Sequence, residues 1–147
     1  YKCNMTDIMA AIGLGQMERY PGLLARRRQI IGMYNDGIKA DDVEYLEQYT
    51  DVYTSSGHLY LVRLLGKDSD VRNAFITKMA ENGIATNVHY KPLPMHTAYK
   101  ELGFDIVDYP NSYEMYHNEV TLPLHTNLTD EQVEYVIENF NNIKKTV

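Results

Sequence analysis

The chain has 147 residues, of which 44% are hydrophobic and 23% charged, a composition that suits one globular domain with its own core. Its net charge of -6 argues against nucleic acid as a partner, because a protein that binds a phosphate backbone is normally basic. No stretch is long and apolar enough to span a membrane. The single cysteine, Cys3, cannot form an internal disulfide, so a cytoplasmic location is expected.

Two helices are predicted at the start of the chain. Thr6 is a suitable N-cap for the first helix, which is apolar on nearly every side from Ile8 to Met17. Pro21 should end this helix or begin the second, and Gly37 should end the second. A helix that is apolar all round has to be covered, so we expect the first helix to self-associate where nothing else packs on it.

Strand and helix patterns alternate through the rest of the chain. Strands are predicted for residues 43–46, 57–65, 84–90 and 120–124, and helices for a segment that begins near Ser69 and for residues 97–102 and 111–118. The last helix has the clearest start, a capping box between Thr129 and Gln132. This order predicts an α+β fold: two leading helices, then a small, mostly antiparallel sheet covered on one face by helices.

No complete set of catalytic residues is visible in the sequence, and none is predicted. The five histidines match no zinc signature, so no metal site is predicted either. Arg26–Arg28 could bind phosphate, but adjacent arginines more commonly form a solvated helix face or an interface rim. The 13 tyrosines suit wet interfaces and the polar walls of ligand sites. Residues 1–5 and 89–96 are the candidate interaction segments.

These two segments carry a resemblance to a known family. The chain begins with YKCNMTDIMAAIGLGQMERY, which is similar to a motif of the DegT/StrS-type nucleotide-sugar aminotransferases. These are pyridoxal-phosphate (PLP) enzymes of aminotransferase fold type I. The similarity continues in order through RRRQIIGMYNDGI, HLYLVRL, ENGIATNVHYKPLPMHTAY and LPLHTNLTDEQVEYVIENF, and so covers essentially the whole chain. It implies that residues 1–147 are the small C-terminal domain, a fragment without the large N-terminal domain that holds PLP.

The resemblance also implies roles for five residues. Lys2 stands where family members reach the cofactor phosphate of the neighbouring subunit, and Asn4 stands where many members have arginine. His89, Tyr90 and His96 resemble the segment that lines the sugar-nucleotide site. The lysine that binds PLP covalently belongs to the large domain, so the resemblance implies no catalytic residue here and no cofactor bound to this fragment.

The function implied by the resemblance is that of a C-terminal domain, inactive alone, of a PLP-dependent aminotransferase. The complete enzyme would act on keto-sugar nucleotides in cell-surface polysaccharide or amino-sugar biosynthesis, with an amino acid, glutamate, as the donor. Its expected partners are the missing N-terminal domain and a second copy in a homodimer. Two alternatives stay open: a stand-alone regulatory or ligand-binding α+β module, and the same domain of a PLP-dependent sugar dehydratase.

Overall fold

The computed structural model describes residues 4–38 and 40–147, so Lys2 and Cys3 lie outside the described residues. The elements of the described residues are, in chain order, α1 Asp7–Gly37, β1 Val43–Tyr45, β2 Tyr60–Leu64, α2 Ser69–Glu81, α3 Thr97–Lys100, α4 Pro110–Tyr116, β3 Glu119–Leu122 and α5 Asp130–Lys144. Two 3-10 turns, Leu93–Met95 and Ile106–Asp108, flank α3. The predicted starts of α2 and α5 are confirmed, because Asp68 caps α2 and Thr129 forms the capping box with Gln132.

The prediction of two leading helices is wrong, because α1 is one helix of 31 residues that contains Pro21. Its predicted N-cap is confirmed: the Thr6 hydroxyl accepts a hydrogen bond from the Met9 amide at 3.3 Å. A proline inside a helix costs about 3 kcal/mol, whereas a break would leave about four unpaired N–H and four unpaired C=O groups at the new ends. The continuous helix is therefore the better arrangement, and it is roughly 46 Å long.

The sheet is antiparallel, with the strand order β1-β2-β3, and the α+β fold class is confirmed. The predicted strand over residues 84–90 is wrong, since this segment makes only an isolated bridge between Asn87 and Thr121. The Asn87 side chain accepts the Val88 amide at 2.8 Å. This local bond competes with pairing to a strand, and Pro92 then ends any extension of the ladder.

The core lies between one face of the sheet and three helices. Its members in the sheet are the alternate residues Tyr60, Val62 and Leu64 of β2 and Val120 and Leu122 of β3. The helical members come from the carboxyl-terminal part of α1, from α2 and from α5: Ile30, Ile31, Tyr34, Phe75, Met79, Val133, Val136 and Phe140. The rings of Phe75 and Phe140 meet edge to face with 5.1 Å between their centroids. These three helices cover this face of the sheet, and loops and the end of α4 border the other face.

Arg26–Arg28 hold α1 against the rest of the fold. The Arg26 guanidinium binds the Asp130 carboxylate at 2.6 Å and also the Leu128 carbonyl. Arg27 donates to the Gly57 carbonyl at 2.7 Å, and the Arg28 guanidinium lies 5.1 Å from the centre of a tyrosine ring. These contacts explain the three arginines through packing of α1, without a phosphate.

The amino-terminal half of α1, residues 7–22, projects away from this core. Its apolar side chains are exposed, with exposed fractions of 75% for Ile8, 62% for Ile12 and 71% for Leu14. Over the described residues, no helix is both long enough and apolar enough to cross a membrane. Exposed apolar surface of this kind is typical of contact surfaces, and the behaviour expected of this half of α1 is taken up in the Discussion.

Candidate functional site

The face of the sheet that the helices leave open carries polar side chains. Strand alternation places Arg63 of β2 and Glu119 and Thr121 of β3 on this face, because Tyr60, Val62 and Val120 point into the core. The register puts Arg63 opposite both Glu44 of β1 and Glu119 of β3. Three charged residues from three strands therefore form one row across the open face.

A cavity of about 500 Å³ lies over this face, within the range of small-molecule sites. Its walls come from the strands, from the β1–β2 loop, from the end of α4 and from the segment before the proline-rich loop. The lining residues include Glu44, Leu46, Tyr53, Leu61, Arg63, His89, Met115 and Glu119. The cavity thus combines apolar side chains with three carboxylates (Glu47 is the third), one guanidinium and one imidazole.

Three hydrogen bonds join His89, Glu119 and Thr121 to one another. Its backbone N–H donates to Glu119 Oε2 at 2.9 Å, and its ring Nδ1 lies 2.9 Å from Thr121 Oγ1. Thr121 in turn donates to Glu119 Oε1 at 2.5 Å. The Tyr90 ring packs edge to face on the His89 ring, with 4.6 Å between centroids, and is 71% exposed. The structure therefore fixes His89 and leaves Tyr90 accessible.

Burial raises the pKa of the Glu119 carboxyl, which is only 4% exposed. The hydrogen bonds from Thr121 and from the His89 amide oppose this rise, and so does the positive charge of Arg72. Arg72 is itself 3% exposed; its guanidinium donates to the carbonyl of Tyr116 at 3.1 Å and lies 5.0 Å from the centre of that ring. Glu119 is thus a buried carboxylate that the fold supports with two donors and one nearby cation.

The free energy of unfolding of Glu119→Gln, relative to that of the wild type, is expected to increase as the pH rises from about 4 to about 7. The folded state raises the Glu119 pKa above its ordinary value of 4.5, so it binds the proton more tightly than the unfolded state does. Ionisation above that value therefore destabilises the wild type, and glutamine does not ionise. Urea unfolding of both proteins across this pH range measures the difference.

Glu47→Gln serves as the control for this experiment, because it removes a carboxylate from the exposed rim of the same cavity. It has the same effect on net charge and leaves the Glu119 contacts in place. A difference in unfolding free energy between Glu119→Gln and wild type that stays constant with pH contradicts the expectation.

The other residues predicted for the site lie elsewhere. His96 is exposed at the end of a 3-10 turn, with Nε2 3.3 Å from the Lys91 carbonyl, and it is not among the cavity-lining residues. Asn4 is exposed before the start of α1, and Lys2 lies outside the described residues. Of the five predicted residues, the structure brings together His89 and Tyr90.

Arg63, Glu119 and Thr121 belong to the site but are not among the residues predicted from the sequence. Glu119 fell one residue before the predicted strand 120–124, and Thr121 and Arg63 were counted only as parts of strands. The signal that could have found them is alternation: Glu119 and Thr121 share one face of β3, and Arg63 occupies the matching face of β2. A charged residue in the middle of an otherwise apolar strand is the feature to look for.

The cavity does not by itself fit PLP, whose chemistry requires a lysine at the cofactor ring. No lysine is among its lining residues. Lys67 and Lys78 donate to the last residues of the chain, and Lys144 binds Asp42. Within residues 4–38 and 40–147, no three histidine, cysteine or acidic side chains are grouped to hold a metal ion.

Comparison with known proteins identifies the family. The model of the DegT/DnrJ/EryC1/StrS aminotransferase family matches residues 1–141. The chain belongs to this family. Its fold is that of the corresponding part of the PLP-dependent fold type I aminotransferases, as the resemblance implied.

Solved structures and curated relatives extend this result. A sugar aminotransferase of Streptococcus pneumoniae, solved in apo, PMP and PLP forms, is 51% identical over 99% of this chain, with TM-scores of 0.95 to 0.96, and this chain covers 37% of it. Helicobacter pylori PseC, an aminotransferase of pseudaminic acid biosynthesis, is 25% identical over 98% of the chain with a TM-score of 0.84. The Bacillus subtilis spore coat polysaccharide biosynthesis protein SpsC is 33% identical over 99% of the chain. The chain spans about 38% of the length of such curated relatives.

Proposed function

We propose that this chain is the small C-terminal domain of a PLP-dependent aminotransferase that acts on keto-sugar nucleotides. The observation that carries the proposal is the match of residues 1–141 to the aminotransferase family together with coverage of only 38% of the relatives' length. No lysine is among the residues that line the described cavity, which supports a site shared between two parts of the protein. In such a shared site, this chain contributes walls of the substrate site, and the rest of the protein contributes the lysine that binds PLP.

His89, which lines the cavity, and Tyr90, which is exposed beside it, are proposed to contact the sugar nucleotide. His89 is held rigidly by Glu119 and Thr121, and the exposed Tyr90 ring offers an apolar face and a hydroxyl for a sugar. His96 follows on the same proline-rich loop and is proposed to contact a more distant part of the substrate. Each of these contacts orients the substrate, and none is a proton transfer.

Lys2 and Asn4 are proposed to contact the cofactor phosphate of the neighbouring subunit in a homodimer. A lysine ammonium is a suitable partner for a phosphate, and an asparagine amide adds a neutral donor. Asn4 is exposed just before α1, which leaves it available to another subunit. When bound, PLP supplies the electron sink for moving the amino group between donor and acceptor.

The biosynthetic setting is proposed from the relatives' names. SpsC is named for spore coat polysaccharide biosynthesis, and PseC for the biosynthesis of pseudaminic acid. We place this chain in the same kind of pathway, cell-surface polysaccharide or amino-sugar biosynthesis in the cytoplasm. A ligand-binding module without chemistry is the second candidate, favoured by the formed cavity of about 500 Å³.

A chimaera tests the proposal. The chain is joined to the part of the Streptococcus pneumoniae aminotransferase that it does not match, because the two proteins are 51% identical over the shared part. The chimaera is expected to bind PLP and to transfer an amino group to a keto-sugar nucleotide. A folded chimaera that binds PLP and shows no such transfer contradicts the proposal. The remaining candidates are then a ligand-binding module and the same domain of a PLP-dependent sugar dehydratase.

His89→Ala in this chimaera is expected to raise KM for the sugar nucleotide about tenfold, the equivalent of about 1.4 kcal/mol of lost binding. The absorbance of bound PLP is expected to stay unchanged, because His89 is proposed to touch substrate and not cofactor. His125→Ala is the control, since His125 is exposed and does not line this cavity. Equal KM values for the two variants argue against the placement of the substrate.

A further inference from the structure

The hydrogen bonds around Glu119 determine which way the Thr121 hydroxyl points. Glu119 Oε2 accepts the His89 amide at 2.9 Å, and Oε1 lies 2.5 Å from Thr121 Oγ1. An ionised carboxylate can only accept hydrogen bonds. The single hydroxyl hydrogen of Thr121 is therefore directed to Glu119.

The Thr121 hydroxyl then determines the state of the His89 ring. With its hydrogen on Glu119, Thr121 Oγ1 has only lone pairs left for His89 Nδ1, 2.9 Å away. The hydrogen of that bond must come from Nδ1. In a neutral ring this leaves Nε2 without a hydrogen and with a free lone pair. Among the described residues, Nε2 has no hydrogen-bond partner, and His89 lines the cavity.

We propose that Glu119 and Thr121 are positioning residues that hold His89 in its Nδ1–H form, so that Nε2 accepts a hydrogen bond from a hydroxyl group of the ligand. The identity of that ligand as the sugar part of a nucleotide sugar rests on the proposed function. The state of the ring does not, because it follows from contacts within this chain.

The charges of the cavity favour a hydroxyl over a phosphate at this position. Three carboxylates, Glu44, Glu47 and Glu119, are among the lining residues. The Arg63 guanidinium is already engaged, since it binds the carboxylates of Glu44 and Glu114 at 2.8 Å each. A phosphate oxygen, which is an acceptor like Nε2, would find no free donor from these groups. A sugar hydroxyl can donate to Nε2 without added charge.

Nitrogen-15 NMR of the chain tests the proposal directly. In mildly alkaline buffer, the ring of His89 is expected to show a hydrogen-bearing Nδ1 and an Nε2 with the shift of an unprotonated ring nitrogen. The assignment follows from the signals that disappear in His89→Gln. A hydrogen-bearing Nε2 with an unprotonated Nδ1 in the wild type overturns the proposal. This measurement needs neither PLP nor activity, so it can fail or succeed independently of the chimaera.

Variants separate a positioning role from general stability. Thr121→Val removes the acceptor and is expected to shift the His89 ring towards the Nε2–H form, whereas Thr121→Ser keeps the hydroxyl and the wild-type signals. Thr86→Val is the matched control, because the buried Thr86 hydroxyl has no hydrogen-bond partner among the described residues. An unchanged His89 ring in folded Thr121→Val overturns the proposal. If Thr121→Val does not fold, Thr121→Ser provides the test instead. Loss of the Nδ1–H form of His89 in Thr121→Ser then contradicts the proposal.

Inorganic phosphate tests the kind of group that Nε2 accepts. In the same buffer, phosphate is expected to leave the His89 Nε2 signal unchanged over a concentration series. A saturable shift of that signal by phosphate overturns the assignment of a hydroxyl. Glu119→Gln is expected to leave the phosphate result unchanged while broadening the His89 ring signals, because a neutral amide holds Thr121 less firmly than a carboxylate.

Discussion

Gly57→Ala is expected to lower the free energy of unfolding by about 3 kcal/mol. Gly57 is buried and has a φ of +62°, a conformation that costs other residues about 1–2 kcal/mol. A Cβ at this position would lie 2.9 Å from Ile31 Cδ1 and 3.3 Å from the Tyr49 hydroxyl. Overpacking of this kind adds about 1–3 kcal/mol. Urea unfolding monitored by circular dichroism measures the loss.

Gly66→Ala is the matched control for this substitution. Gly66 has a similar φ of +71°, but no atom of the described residues lies within 4 Å of the position that its Cβ would take. Only the backbone cost of about 1–2 kcal/mol is then expected. Equal losses in the two variants would show that the contact with Ile31 has no energetic role.

Replacing Ile8, Ile12 and Leu14 together by glutamine is expected to weaken self-association of the chain roughly 100-fold. These three side chains are between 62% and 75% exposed in the amino-terminal half of α1. Full burial of one such side chain stabilises by about 1.5–3 kcal/mol. An interface that buries the three side chains only in part is expected to gain about 3 kcal/mol from them in total. Each 1.4 kcal/mol is a factor of ten in the dissociation constant. Sedimentation velocity over a concentration series measures the association.

A second triple variant controls for the loss of exposed apolar surface as such. Val52, Leu102 and Val107 are 92%, 73% and 74% exposed and lie outside α1. Their replacement by glutamine is expected to leave self-association unchanged. A wild-type chain that sediments as a monomer at every concentration, or a control variant that dissociates as readily as the α1 variant, contradicts the assignment of this surface.

The elements that could be predicted from the sequence are those with local signals. Thr129 and Gln132 lie three residues apart and form the capping box of α5, and Asp68 caps α2 through its own side chain. Pro21 led to a wrong prediction because proline by itself favours a helix end. The backbone hydrogen bonds of α1 on both sides of Pro21 outweigh that preference. The strand predicted over residues 84–90 was wrong because the Asn87 side chain accepts a hydrogen bond from the next backbone amide.

The candidate site was only half predictable for a different reason. His89 stood out because of its neighbours in the sequence, but its partners Glu119 and Thr121 are 30 and 32 positions away. Their meeting with His89 depends on the bridge between Asn87 and Thr121, which brings residues 84–89 to β3. Such pairing between distant segments leaves no periodic trace in a single sequence. The resemblance to a family located the segment, and the structure supplied the hydrogen bonds.

The continuity of α1 has a mechanical consequence. Its exposed end and its core end belong to one continuous rod of helix that runs through Pro21. A tilt of about 5° about the middle of this rod moves its exposed tip by about 2 Å. The core end holds the Gly57 loop through Arg27, and that same β1–β2 connection carries Tyr53 to the cavity wall. A displacement of the exposed end is therefore expected to reach the cavity wall through Arg27 and the β1–β2 connection.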